Sequence, residues 1–288
     1  MFAEQLVNGL VLGSVYALIA VGFALQFSIL RIINLAYGET MMASAFVGYL
    51  VLTHTGLGHV AAALAAIAAG AATGLLLERF TLRYVRGGDE LTPLMITIGV
   101  ATLLTSVFSM MFGFEQRAFP RHYTGGILTI GEIQITLVQL SIFLIAIVTM
   151  VSLHLVLRRT RFGRAIRATA DREHIAAAFG VNVRLIRVVA IGLSSGLGGL
   201  AGILIAENFG VVSPFIGTTF GLKALVVLII GGAASLSGAV AGGLFLGMLE
   251  VMSSAYFLSE YRDAISYSIL IIVLAIWPRG FVPNAVLR

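Results

Sequence analysis

Apolar residues run along this chain in long stretches separated by short polar loops. A helix needs ~20 apolar residues to cross a hydrocarbon layer. By that ruler 6–29, 60–77, 93–112, 137–157, 186–206, 239–258 and 264–277 read as spans. Two stretches are less regular. "NLAYGETMMASAFVGYLVLT" (34–53) carries Asn34 and Glu39 in its first two turns, and "FGLKALVVLIIGGAASLSG" (220–238) has Lys223 at one end and a Gly-Gly break towards the other. Broken or re-entrant helices are expected there. Backbone freed at such a break is tolerated only where protein or a water-filled cavity surrounds it. Asn34, Tyr37, Gly38, Glu39, Gly221, Leu222 and Lys223 are therefore candidates for a translocation path. A second reading stays open, in which Asn34 is only a helix cap and Glu39 lies near the headgroups. The fold class that follows is all-α: a polytopic membrane helical bundle of about eight to nine transmembrane or re-entrant helices. No polar linker divides it, so 1–288 is expected to form a single unit.

Small residues four apart let helix backbones approach in lipid, where burial gives no drive for association. Gly9 and Gly13, Gly70 and Gly74, Gly198 and Gly202, Gly238 and Gly242, and Gly243 and Gly247 have that spacing.

Composition sharpens the picture. The chain is 59% hydrophobic and 11% charged, with mean hydropathy +1.04, far from the ~45–50% apolar content of soluble domains. It has no cysteine, which removes disulfides, thiolate metal sites and thiol nucleophiles. The first apolar run is too long for the core of a cleavable signal and is expected to remain as a span.

Charge gives the orientation. Eight of the eighteen basic side chains lie in 158–187, and Arg79, Arg83 and Arg86 lie in 78–92. Both loops are expected on the cytoplasmic side, and 113–136, with two arginines against two glutamates, outside. With both irregular stretches counted as full crossings, the N-terminus falls outside and "WPRGFVPNAVLR" inside.

Enzyme chemistry finds no foothold. The five histidines are scattered without metal-ligand spacing, and "GLGGLAG" and "GGAASLSG" lack the preceding strand, and the second also the lysine, of nucleotide-binding loops. The acids in or near apolar segments are Glu39, Glu207 and Glu250. Segment-end positions favour interfacial placement for the last two, whereas Glu39 is a functional candidate. A secondary transporter or channel would need coupling charges or a filter motif within its spans. A scaffold would have no use for the loop described next.

That loop contains "GRAIRATADREHIAAAFGVNVR". Residues 164–180 read as a short surface helix stopped by Gly180 and Asn182. A basic loop could simply sit on anionic lipid. Its uncharged tip, "HIAAAFG", is what a protein socket requires and lipid does not.

The run "RRTRFGRAIRATADREHIAAAFGVNV", with "NGLVLGSVYALIAVG", "RIINLAYGE", "ITIGV", "SGLGGLAGIL", "GLKALVVLIIGGAASLSGAVAGGLFLGMLE" and "PRGF" in order, resembles the LivH-type permease subunit of bacterial ABC importers for branched-chain amino acids. The resemblance implies that 158–187 holds the coupling helix that docks on a cytoplasmic ATPase, with Arg167, Glu173, His174, Ala176, Ala177, Ala178, Phe179 and Gly180 at the contact. The chain departs from the E-A-A-x-x-x-G pattern of importer loops: His174 stands where Glu is usual, Glu173 is displaced by one, and only Ala176 of the alanine pair matches. Further implications are a multi-pass inner-membrane location, a second related permease (a heterodimer, with a homodimer as the other arrangement), two ATPases, and a periplasmic binding protein. Mg-ATP would be held by the ATPases, so this chain binds no cofactor and hydrolyses nothing; no nucleic-acid partner is expected. Leucine, isoleucine and valine are the implied cargo, with urea, amides or other amino acids as the alternative within the same class. Glu39 is the candidate for a substrate ammonium, and no Arg or Lys stands at the centre of a span for the carboxylate. Passage is therefore expected to be weak and transient, with affinity residing in the binding protein.

Overall fold

A computed structural model describes residues 2–83, 91–120, 126–130, 133–232, 235–256 and 262–276. Arg86, Arg121, Trp277 and the "PRGF" motif lie outside the described residues. The helices are α1 (Phe2–Leu30), α2 (Tyr37–His54), α3 (His59–Leu77, continued by a π turn over Glu78–Leu82), α4 (Leu91–Phe112), α5 (Leu137–Arg159), α6 (Arg161–Asp171), α7 (Glu173–Ala178), α8 (Val183–Phe209), α9 (Ile216–Gly231), α10 (Leu236–Tyr256) and α11 (Arg262–Ile276). Among the described residues six helices, α1, α3, α4, α5, α8 and α10, are long and apolar enough to cross a membrane. The more polar α2 and the shorter α9 and α11 fall below that mark.

The helix α1 is the axis. Nineteen of its residues, from Gly9 to Ile29, are buried on all sides, because α10, α8, α9 and α5 surround it. Its glycines explain the closeness. A Cβ on Gly9 or Gly13 would come within 2.9 Å of the Met248 or Leu244 Cα, and one on Gly243 would collide with the backbone of Ala17. The two small-residue rows, Gly9/Gly13 and Gly243/Gly247, are thus two sides of one seam. Helix α3 meets α8 in the same way, with Gly74 against the Ser195 side chain and Gly199 against the Ala66 carbonyl.

The outer helices show the reverse pattern. Met95, Leu103, Val107 and Met110 of α4 and Leu140, Leu144, Val148 and Val151 of α5 are exposed. An apolar surface of this extent suits lipid rather than water.

Two features differ from the sequence reading. The stretch 34–53 is not broken within a helix: α2 is continuous and the irregular backbone lies before it (31–36). The stretch 220–238 does break at its Gly-Gly pair, where α9 ends at Gly231 and Gly232 has φ +99. Short strands also appear where only loops were expected. β1 (Arg117–Ala118) pairs antiparallel with β4 (Val211–Val212), and β2 (Ile127–Ile130) with β3 (Ile133–Thr136), Thr129 lying opposite Gln134. The hairpin leads straight into α5, whose start is a capping box: Thr136 Oγ1 accepts from the Gln139 N–H at 3.3 Å, and Gln139 Oε1 accepts from the Thr136 N–H at 3.1 Å.

Candidate functional site

Between α1 and α2 the chain makes a tight non-helical step. Asn34 Oδ1 accepts from the Ala36 N–H at 3.1 Å, and the Asn34 carbonyl accepts from the Tyr37 N–H at 3.1 Å. Such a turn launches α2 without a side-chain cap, and an acidic residue, Glu39, stands in its first turn, the end of a helix where acids are favoured. Gly38 then touches α9. A Cβ there would strike the Gly217 carbonyl, and one on Gly221 would come within 2.9 Å of the Gly38 Cα. Only glycines allow this approach, and it brings the Glu39 carboxylate to Thr218, whose hydroxyl donates to Oε1 at 2.7 Å. The Oε2 atom lies over Gly217, buried and without a hydrogen-bond partner. Thr105, whose hydroxyl lies 3.1 Å from the Ala101 carbonyl, also stands beside this carboxylate.

The carboxylate faces a cavity of about 330 Å³, walled by Thr102, Thr105 and Ser106 of α4 and by Thr218, Gly221 and Leu222 of α9. That volume sits at the small end of the ~300–1,000 Å³ typical of small-molecule sites. One buried carboxyl oxygen without a hydrogen-bond partner, several hydroxyls and an apolar remainder can receive the ammonium of a small amphiphile and let its side chain rest on Leu222 and Ile98. Sequence reasoning missed the α4 wall. Thr102, Thr105, Ser106 and Ser109 fall at helical spacing on one side of α4, and that polar stripe was the available signal.

The other candidates lie elsewhere. Asn34 belongs to the turn. Tyr37 is 1% exposed, stacked on Phe23 at 5.2 Å, with its hydroxyl donating to the Ile19 and Ser194 carbonyls at 3.3 and 3.2 Å. It packs α1 against α8 and does not line the cavity. Lys223 leaves α9 on another side: its Nζ is 2.6 Å from Glu250 Oε1, with the Tyr16 and Phe220 ring centroids at 5.8 and 5.6 Å. Glu250 is fully buried, and Glu207 lies 3.7 Å from His59 and is mostly covered. A cysteine at position 222, where leucine is 40% exposed, is expected to react with a membrane-impermeant maleimide, and one at position 37 to stay protected. Equal labelling of both would contradict the placement.

The basic loop forms a second site. Thr160 caps α6 by accepting the Gly163 N–H at 2.9 Å. Gly163, Ile166, Thr169 and Ala170 turn inward, while Arg167 is half-buried. The single surface helix expected over 164–180 is two helices, because Arg172 adopts extended backbone (φ −146, ψ 98). Helix α7 follows, with Ala176 inward and His174, Ile175, Ala177 and Ala178 exposed. Phe179 is 85% exposed. Gly180, at φ +82, ends the helix in the left-handed conformation that glycine adopts freely. Glu173 accepts from Arg187 at 3.0 and 3.1 Å, pinning α7 to the start of α8. The tip is thus an apolar knob held on a braced turn.

An apolar helical bundle with lipid-compatible outer helices, a small cavity between α2, α4 and α9 into which a carboxyl group and several hydroxyls turn, and a braced apolar loop projecting from it defines a multi-pass membrane transport protein. Residues 5–274 match the family described as "Branched-chain amino acid transport system / permease component", and the chain belongs to that family as a permease component. It is 34% identical over 292 residues to the high-affinity branched-chain amino acid transport system permease protein LivH of Escherichia coli K12, covering 97% of this chain and 94% of that one. It is 33% identical to the corresponding protein BraD of Pseudomonas aeruginosa, over 97% and 95% of the two chains. Among solved structures, PsaBC from Streptococcus pneumoniae in complex with Fab shares the fold, with a TM-score of 0.54 at 15% identity over 94% of this chain and 91% of that chain.

Proposed function

We propose that residues 1–288 act as one transmembrane permease domain of an ATP-driven importer that carries leucine, isoleucine and valine across the bacterial inner membrane. The observation that carries this reading is Phe179, an aromatic side chain left 85% exposed at the tip of the loop. An exposed aromatic anchor on a braced helix suits a pocket in a partner. In this reading Arg167, Glu173, His174, Ala177, Ala178, Phe179 and Gly180 form the contact with a cytoplasmic ATPase, while Ala176, expected among them, is buried and packs inward beneath the tip. Mg-ATP stays on that subunit, and hydrolysis is its work alone. A second related permease completes the membrane portion, and a periplasmic binding protein delivers the amino acid. Glu39 meets the ammonium of the passing substrate, while Gly38, Gly221 and Leu222 shape the wall beside it. With Lys223 committed to Glu250, no Lys or Arg is among the described residues that line the cavity, which supports weak and transient occupancy.

The test is ATP-driven leucine uptake by the complete complex in proteoliposomes. Ala177→Arg changes an exposed position, so the fold should be nearly unaffected. In a close-packed socket the added side chain costs about 1–3 kcal/mol, so uptake is expected to fall roughly tenfold at unchanged membrane content. Normal uptake by this variant would refute the docking assignment.

A further inference from the structure

Arg31 connects the two sites. It is the residue that ends α1, with its N–H donating to the Phe27 carbonyl at 2.8 Å. Its backbone stands at φ +55, the lone left-handed non-glycine among the described residues. An arginine gains nothing locally from that conformation. What it gains is distant: the guanidinium donates from Nη2 to the Ala170 carbonyl at 2.6 Å. Ala170 lies in the last turn of α6, whose final carbonyls lack partners within the helix, and a cation at that end is also favoured by the helix dipole. The chain on the other side of Arg31 is the step 32–36, which is tied down by Asn34 and delivers Glu39 to the cavity. One side chain thus grips the end of the loop helix while its backbone is eight residues from the cavity carboxylate.

We propose that Arg31 is a positioning residue that transmits displacement of α6 and α7 to the wall of the cavity at Glu39. The inference rests on the reading of that loop as the ATPase contact. When the ATPase moves α6, the Arg31–Ala170 hydrogen bond pulls the turn at 31–36, and with it the first turn of α2, relative to α9. Glu39 and Thr218 sit on the two sides of that joint.

The experiment uses the complete complex in proteoliposomes and reads leucine imported per ATP hydrolysed. Arg31→Asn removes the guanidinium but keeps a residue that tolerates the left-handed backbone, and Arg31→Gly removes it while relieving the backbone altogether. Both are expected to lower the ratio about tenfold, the scale of losing one charge-assisted hydrogen bond. ATPase subunits should still co-purify, and Arg31→Lys should recover most of the ratio. A purely structural role would lower both activities together and leave the ratio intact. An unchanged ratio in Arg31→Asn or Arg31→Gly, loss of the ATPase subunits from both, or no recovery with Arg31→Lys would each overturn the proposal. Ala177→Arg run in parallel separates the causes. If it uncouples transport while Arg31→Asn does not, transmission through Arg31 alone is wrong; if neither does, the docking reading fails as well.

Discussion

Lys223→Met is expected to destabilise the protein by about 3–5 kcal/mol, the cost of leaving one member of a buried ion pair without its counter-charge. Lys223 is 4% exposed and Glu250 0%, and their closest atoms are 2.6 Å apart. Methionine fills much of the space of the lysine stem, so packing changes little and the loss reports charge. In a low-dielectric interior an uncompensated carboxylate has no water to turn to. The double variant Lys223→Met with Glu250→Met removes both charges and should recover most of the loss, since buried pairs are commonly replaceable by apolar residues of similar volume. Thermal unfolding of the detergent-purified chain, followed by size-exclusion chromatography, measures both. A Lys223→Met protein as stable as the parent would show that the pair is not what holds α9 to α10.

The second large effect is expected at the seam between α1 and α10. Gly243→Leu should prevent the two helices from closing, because even the first carbon of the new side chain collides with the backbone of Ala17. Backbone cannot yield as a flexible side chain does, so the loss should exceed the ~1–3 kcal/mol of ordinary overpacking. Gly99→Leu on α4 is the control, since nothing lies within 4 Å of a Cβ at that position. The yield of monodisperse protein should collapse for the first variant and hold for the second. Similar yields for the two would mean that α1 and α10 do not pack as described.

What could be read from residues alone follows the range of each signal. Span positions were legible because hydropathy is local: α5, expected over 137–157, is Leu137–Arg159. The spacing of Gly9 and Gly13 announced a close contact but not its partner, because Gly243 and Gly247 have the same spacing and so do several other glycine pairs. Glu39 stood out as a charge in an apolar run, and it faces the cavity. Tyr37 was a candidate through its place in the irregular stretch and lies in the core, since the carbonyls of Ile19 and Ser194 satisfy its hydroxyl there. Lys223 was visible, but its partner is 27 residues away across the Gly232 turn, at a position that looked interfacial. The β1–β4 pair joins segments far apart in the chain and has no local pattern to find. Arg164 to Gly180 read as one helix because nothing in "RAIRATADREHIAAAFG" forbids helix; the extended backbone at Arg172 that divides it has no local signal.

The central position of α1 has a consequence for how the protein is made. Its main neighbour, α10, is separated from it by most of the chain, so during synthesis α1 enters the bilayer long before the groove it will fill exists. Until then its glycine row and the Ser14, Gln26 and Ser28 side chains, all buried in the finished fold, face lipid or whatever protein shields nascent helices. Completion of the seam therefore reports that translation has passed α10. A chain truncated before Leu236 would carry an open α1 groove, a mark by which membrane quality control can tell an unfinished copy from a finished one.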